Sequence, residues 1–134
     1  MEKHFKGIKE YEKEMKSYRE NYQRWKKYRR ETASPFFIIY KDFQDEYLRK
    51  ISGGALKLYV FLGFNSSNFT GECWISSSEI ASYFGNDVRT VKGWFAELET
   101  IGLLKRVQTG FKRKGNSFLQ PYGDGSYTDE DFLK

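Results

Sequence analysis

The chain has 134 residues, a formal net charge of +5 and an isoelectric point near 9.2, which allows one modest domain with appendages. A single cysteine, Cys73, and a single histidine, His4, exclude an intramolecular disulfide, a zinc cluster and a Cys/His catalytic pair. We expect a cytoplasmic protein with no membrane partner, because the sequence shows neither an apolar signal region nor the roughly 18 apolar residues of a membrane span.

The first 31 residues contain no proline, and their less polar positions recur at alternating steps of three and four. This spacing predicts a long helix with one mainly aromatic stripe and a charged remaining surface. The stripe consists of Ile8, Tyr11, Met15, Tyr18, Tyr22 and Trp25. Such a stripe covers either the core of the same chain or a second copy, because a three-four repeat over about three heptads is what a coiled-coil seam needs. Both interpretations stay open, and residues 1–31 are therefore candidates for a homodimer seam.

Residues 32–75 predict several short elements after Pro35 ends the helix. The aromatic and β-branched run at 36–40 indicates a strand or an extended segment buried against the core. A short helix is expected at 43–50, and Ser52 opens a clearer helix. One face of that helix is expected to hold Leu56, Tyr59, Val60 and Gly63. A brief strand is expected at 73–75.

A serine run at 76–78 predicts the start of another helix, which begins the most informative region. Ile80 and Phe84 are four residues apart and seal its inner face, and Ala81 is small where a second helix crosses. Gly85 supplies the positive φ of a tight turn, and Asp87 is a natural N-cap for the next helix.

The second helix is predicted from about Val88 to Ile101. Its buried positions are expected to be Val91, Trp94 or Phe95, Leu98 and Ile101. The outward positions are then Arg89, Thr90, Lys92 and Gly93. Gly102 ends the helix, and two strands, 103–109 and 117–120, flank a basic loop, which predicts a β-hairpin.

The helix–turn–helix spacing from Ser77 to Trp94, continued by Leu98, Gly102 and the basic hairpin, resembles the winged helix-turn-helix family over roughly residues 36–122. The resemblance implies a mainly α fold with a small β-hairpin, of the α+β class, and binding of double-stranded DNA. The order of elements looks most like the N-terminal domains of plasmid and phage replication initiators of Gram-positive bacteria. It therefore implies a role in plasmid or mobile-element replication or transfer, or in its control. The chain departs from the family at Asn86, where an apolar residue is common.

The candidate DNA-binding residues are Ser77, Ser78, Asp87, Val88, Arg89, Thr90, Lys92, Gly93, Lys112, Arg113, Lys114 and Asn116. Arg on a helix in the major groove pairs with guanine, and Thr reaches a phosphate. Cations at a hairpin tip release the counterions of the phosphates. The simpler alternative is that Arg89 and Lys92 are ordinary solvated charges.

Three domain segments are expected: a helix at 1–31, a winged domain at 32–122 and an acidic, disordered tail at 123–134. The acidic tail is a candidate docking peptide for a protein partner. The basic N-terminal helix is a candidate for an extra contact with the DNA backbone. The alternatives to an origin-type DNA binder are a winged-helix transcriptional repressor and a protein-interaction module without DNA binding. We expect no catalytic residue, cofactor or metal, because no phosphate-binding glycine loop, metal-ligand spacing or activated nucleophile is present in the sequence.

Overall fold

The computed structural model of the chain describes residues 7–108 and 115–128. The chain divides into two compact units, residues 1–36 and residues 37–134. The first unit contains helix α1, Ile8–Glu31, which confirms the predicted long helix. The Thr32 hydroxyl donates to the Tyr28 carbonyl (2.7 Å), and Ala33 leaves the helix with a φ of 50°. None of the residues of α1 is buried.

The second unit is mainly helical with a small antiparallel sheet, as predicted for an α+β fold. Its elements are α2 (Lys41–Glu46), a 3-10 turn (Leu48–Lys50), α3 (Gly53–Phe64), β1 (Glu72–Cys73), α4 (Ser77–Phe84), α5 (Val88–Ile101), β2 (Leu104–Val107), β3 (Asn116–Leu119) and a second 3-10 turn (Ser126–Thr128). No helix in the described ranges is long and apolar enough to cross a membrane.

The core of the second unit lies where α3, α4 and α5 meet the sheet. Leu58 and Leu62 of α3, Ile80 of α4 and Phe95 and Leu98 of α5 are each at most 2% exposed. Burying each such side chain contributes about 1.5–3 kcal/mol relative to leaving it in water. The helices are therefore fixed on one another by their apolar faces.

The three strands are arranged in the order β1-β3-β2, with both neighbouring pairs antiparallel. The first strand precedes the α4–α5 pair, whereas the β2–β3 hairpin follows it. Strand β2 is shorter than the predicted 103–109, of which residue 109 lies outside the described residues, whereas β3 has the predicted length but begins one residue before the predicted 117–120. In this register Arg106 faces Ser117, which in turn faces Cys73 of β1.

The prediction for 36–40, a strand or an extended segment buried against the core, is wrong as to the strand and as to the burial. These residues have no regular secondary structure, and four of the five are 40–70% exposed. Phe37 is half-buried, with its ring centroid 5.8 Å from that of Tyr59. A Cβ on Gly63 would overlap the Phe37 ring, so the ring can pack at this position because residue 63 has no side chain. One aromatic anchor, rather than strand pairing, holds the segment to α3.

Helix α3 confirms the expected helix but not all of its expected face. Tyr59 and Gly63 are buried, whereas Leu56 and Val60 are only half-buried. The other buried residues are Ala55, Leu58 and Leu62. Because α3 is apolar almost all round, its sequence has no clear polar side from which to predict the inner face.

The chain returns to the core at Tyr122, whose hydroxyl accepts a hydrogen bond from the Tyr40 backbone N–H (2.8 Å). The Tyr122 ring lies 5.9 Å from Phe43 and 6.0 Å from Tyr47. The disorder expected from residue 123 does not hold for 123–128, where Asp124 accepts hydrogen bonds from the Ser126 N–H and hydroxyl. The rest of the predicted tail, 129–134, lies outside the described residues.

Candidate nucleic-acid interface

The α4–α5 pair is built by caps that the sequence predicts. Ser76 accepts from the Glu79 N–H (3.2 Å) at the start of α4, and Gly85 ends the helix with a φ of 70°. Asp87 accepts from the Thr90 N–H (2.7 Å) and starts α5 at Val88, as expected. These local hydrogen bonds satisfy N–H groups that have no partner within the helix.

Asn86, at a position where an apolar residue was expected, is accommodated by the backbone of the turn. Its N–H donates to the Ala81 carbonyl (3.1 Å), and its side chain is exposed. The turn therefore closes through a main-chain hydrogen bond, which does not require an apolar side chain at this position.

The outer face of α5 carries the four predicted residues Arg89, Thr90, Lys92 and Gly93, all exposed. The inner face is Val91, Phe95 and Leu98, each at most 2% exposed. The choice between Trp94 and Phe95 is settled in favour of Phe95. Trp94 is half-buried beside Phe84, at a ring distance of 5.9 Å. The buried face fixes the rotation of α5, so the four outer residues share one accessible surface.

Charge is divided along α5. Arg89 and Lys92 lie in its N-terminal half, and Glu97 and Glu99 lie in its C-terminal half. Glu97 accepts hydrogen bonds from the Ser52 N–H (2.8 Å) and hydroxyl (2.6 Å), which fixes the start of α3 to α5. The N-terminal half of the helix is therefore the part suited to an anionic partner.

A cleft of about 530 Å³ runs along one side of α5, from Val88 to Glu99. It is formed by the first turn of α4, this side of α5 and the base of the β2–β3 hairpin. Its lining is Ser76, Ser77, Ser78, Val88, Lys92, Phe95, Ala96, Glu99, Arg106, Val107, Gln108 and Gly115. Two cations from different elements, Lys92 and Arg106, thus line the same cleft as one acid, Glu99.

Arg106 connects the hairpin with both helices, a role that the sequence reasoning missed. Its guanidinium carbon is 3.9 Å from the centroid of the Phe95 ring, and its Nη1 donates to the Ser77 hydroxyl (3.0 Å). A Cβ on Gly115 would come within 2.5 Å of Nη2, so the glycine leaves room for the guanidinium. The alternation of side chains along a strand could have predicted this inward position, because it places Arg106 on the same face of β2 as buried Leu104.

Polar side chains continue across the sheet from Arg106 to Ser117 and Cys73. Arg106 Nε and Ser117 Oγ are buried and have no hydrogen-bond partner within the described residues. Burial lowers the pKa of the Arg106 guanidinium, which still remains cationic at neutral pH. Burial also raises the pKa of the Cys73 thiol, which keeps this side chain neutral in the core.

Two of the predicted contact residues are directed into the fold. Ser77 is 9% exposed and accepts the hydrogen bond from Arg106, and Asn116 is 7% exposed and donates to the Glu72 carboxylate (2.8 Å). Both are therefore removed from the candidate contact set, because their polar groups already serve internal contacts. Ser78 is exposed and Val88 is half-buried at the rim of the cleft. Lys112, Arg113 and Lys114 lie outside the described residues.

Replacement of Asp87 by Ala is expected to lower the melting temperature at pH 7, because α5 loses its N-cap. Hydrogen bonds from Thr90, through its side chain and then its backbone, lower the pKa of the Asp87 carboxyl below its usual value. The stabilisation is therefore complete above the unfolded-state pKa of about 3.9, and it is lost as the pH falls through the lower folded-state pKa.

The check is thermal unfolding of the wild type, D87A and D87N between pH 7 and pH 2. Asn is also a good N-cap, so D87N should resemble the wild type at pH 7. The melting temperatures of the wild type and D87A should converge in acid. A difference that stays constant down to pH 2 would contradict the assigned cap.

The described part of the chain contains no group of three or more His, Cys, Asp or Glu side chains placed to hold a metal ion. Comparison of the chain with family models, with curated proteins and with solved structures gives no match.

Proposed function

We propose that the chain binds double-stranded DNA at a specific site, with α5 as the recognition helix and the β2–β3 hairpin as a wing. The observation that carries the proposal is the outer face of α5. Arg89, Thr90, Lys92 and Gly93 share one exposed surface, while the opposite face is buried in the core. A side chain that reads bases needs a helix whose rotation is fixed.

The order of the elements supports the winged-helix interpretation. A short strand precedes the α4–α5 pair, a hairpin follows it, and all three strands form one sheet in the order β1-β3-β2. Arg106 ties the base of the hairpin to both helices of the pair through Phe95 and Ser77. The wing and the recognition helix would then meet DNA as one preorganised surface.

The major groove of B-DNA is about 12 Å wide and admits one α-helix. Arg89 is the candidate for paired hydrogen bonds to guanine, and Thr90 and Lys92 are candidates for phosphate contacts. Gly93 has no side chain, so the helix backbone can approach the groove closely there. The duplex backbone beside the groove would pass over the cleft, where Ser78 and Lys92 face it.

Replacement of Arg89 by Ala is expected to cost about 1–3 kcal/mol of binding free energy, confined to one or two base positions of the preferred site. The site is first obtained by selecting bound fragments from a random duplex pool. Affinities of the wild type and R89A are then measured on the selected site and on its single-base variants.

Arg49→Ala is the matched control, since Arg49 is an exposed arginine in the 3-10 turn before α3. It should leave the base preference unchanged. An equal loss of R89A affinity on every sequence would show that Arg89 contacts only the backbone.

A role in replication or transfer of a plasmid or another mobile element, or in its control, is part of the proposal through the resemblance of the sequence. Repressors and origin binders use the same contacts, so the arrangement of selected sites is the discriminating result. Arrays of direct repeats would favour an origin binder. A lone operator overlapping a promoter would favour a transcriptional repressor.

A protein-interaction module is the second candidate, and the outer side of α3 favours it. An apolar groove of about 690 Å³ is lined by Leu56, Lys57, Val60, Phe61, Phe64, Asn65, Tyr83 and Phe84. Phe64 and Tyr83 are 64% and 70% exposed. If the chain fails to bind duplex DNA at low salt, this groove becomes the leading functional surface.

A further inference from the structure

We propose that α1 pairs with α1 of a second copy of this chain as an antiparallel two-helix coiled coil. Its contact surface is the aromatic stripe of Ile8, Tyr11, Met15, Tyr18, Tyr22 and Trp25. These side chains are 44–79% exposed. Residues 7–36 contain no second helix or strand that could cover them.

An exposed aromatic stripe of this kind is expected to pack against another surface. The 24 residues of α1 extend about 36 Å, and helices in water gain most of their stability from packing of an amphipathic face. The stripe residues occupy alternating a and d positions of three heptads, with Ile8, Met15 and Tyr22 at a. A second copy offers the same repeat over the same length, so the two stripes match from end to end.

The sizes of the side chains favour the antiparallel orientation. In that register each a residue faces a d residue, so Ile8 lies opposite Trp25 and Met15 lies opposite Tyr18 of the second copy. Tyr11 then lies opposite Tyr22. Two of the three kinds of layer therefore combine an aliphatic side chain with an aromatic one, which balances the volume of each layer.

The parallel orientation would place each residue opposite itself. The Tyr18, Tyr22 and Trp25 pairs would then form three consecutive aromatic layers, while the smaller Ile8 and Met15 pairs would lie on either side of the Tyr11 pair. Layers of such unequal volume strain the seam at one level and leave gaps at the next.

The distribution of charge favours the same orientation. Residues 8–16 carry three basic and three acidic residues, which are Lys9, Lys13, Lys16, Glu10, Glu12 and Glu14. Residues 17–31 carry six basic residues against two acidic ones, which are Arg19, Arg24, Lys26, Lys27, Arg29 and Arg30 against Glu20 and Glu31. Parallel helices would bring the two cationic halves together, whereas in the antiparallel register Arg19 and Arg24 lie beside the neutral half of the second copy and the cations at 26–30 extend past its Ile8.

The positions that flank the stripe also fit. Glu12 and Arg19 both occupy e positions, and e positions face each other in an antiparallel pair. Glu12 of each copy therefore faces Arg19 of the other, which gives two symmetric pairs of opposite charge. Near the C-terminal end of the helix, cations flank the aromatic rings. The Lys26 Nζ, for example, lies 5.7 Å from the centroid of the Trp25 ring.

Cysteine cross-linking of the full chain tests the orientation. Met15→Cys and Tyr18→Cys variants are mixed in equal amounts, one of them carrying a size tag, and oxidised without DNA. We expect the mixed disulfide dimer to dominate, because positions 15 and 18 face each other only in the antiparallel seam. The wild type is the control, since its Cys73 is 1% exposed. Cross-linking of M15C to itself as efficiently as to Y18C would overturn the proposal in favour of a parallel pair.

Sedimentation equilibrium of the same full chain tests the dimer itself, with an expected mass of twice 15.9 kDa. Replacing both Tyr18 and Tyr22 by Glu should raise the dimer dissociation constant about 100-fold or more, because charges would be buried in the seam. The matched control is Ser17→Glu with Gln23→Glu, which adds the same charges on the outer face and should keep the dimer. A monomeric wild type, or equal dissociation in both double variants, would overturn the proposal. Because no DNA is present, this result is independent of the proposed DNA binding.

Discussion

Replacement of Phe95 by Ala is expected to lower the free energy of unfolding by about 3–5 kcal/mol. Phe95 is 2% exposed and lies at the centre of the buried face of α5. Its loss leaves a cavity beneath α5 and also removes the ring over which the Arg106 guanidinium lies. Urea unfolding of the full chain at 25 °C, followed by circular dichroism, measures the change.

Phe69→Ala is the matched control, because Phe69 is fully exposed and the same atoms are removed. Its effect is expected to stay within about 0.5 kcal/mol. If F95A loses less than about 1 kcal/mol, α5 is not held on the core as described, and the fixed rotation of its outer face is wrong.

The triple replacement of Lys112, Arg113 and Lys114 by Ala is expected to weaken binding to all duplex sequences to a similar extent. Cations at the hairpin tip would neutralise phosphates, and each neutralised phosphate contributes about 0.9 to the slope of log K against log salt. The slope of the triple variant should therefore be smaller by about three units. Fluorescence anisotropy titrations between 50 and 300 mM salt measure it.

A triple replacement of Lys41, Arg49 and Lys50 by Ala removes the same formal charge from α2 and the following 3-10 turn. This control should change the slope by less than one unit, since these residues lie outside the proposed interface. Equal slopes for the two triple variants would mean that net charge, rather than a wing, governs the affinity.

Sequence reasoning predicts the α4–α5 region well because its boundaries depend on local chemistry. Asp87 and Gly85 act within one turn of the chain, and both form the expected cap and turn. The buried face of α3 was predicted only in part, because α3 lacks a polar side. The burial expected at 36–40 failed because the composition of that run does not show which of its side chains packs into the fold, and of these five residues only Phe37 is half-buried.

The site residues whose positions follow from the helical period were predicted correctly. Those whose positions depend on strand register were not. Arg89 and Lys92 follow from the spacing of buried Val91 and Phe95 on the same helix. The inward direction of Arg106, by contrast, depends on the pairing of β2 with β3 and on the space left at Gly115. The sequence predicted Asn116 to be a loop residue, but its side-chain amide donates a hydrogen bond to the Glu72 carboxylate on the neighbouring strand.

A titration of labelled random duplex with the full chain at 50 mM salt tests most directly whether the exposed N-terminal half of α5 binds duplex DNA. We predict saturable binding by the wild type, with log K falling linearly as log salt rises. A charge-reversed variant, Arg89→Glu with Lys92→Glu, should lose this binding while its unfolding transition stays close to that of the wild type, because both residues are exposed. Absence of wild-type binding, or equal binding by the charge-reversed variant, would contradict the account.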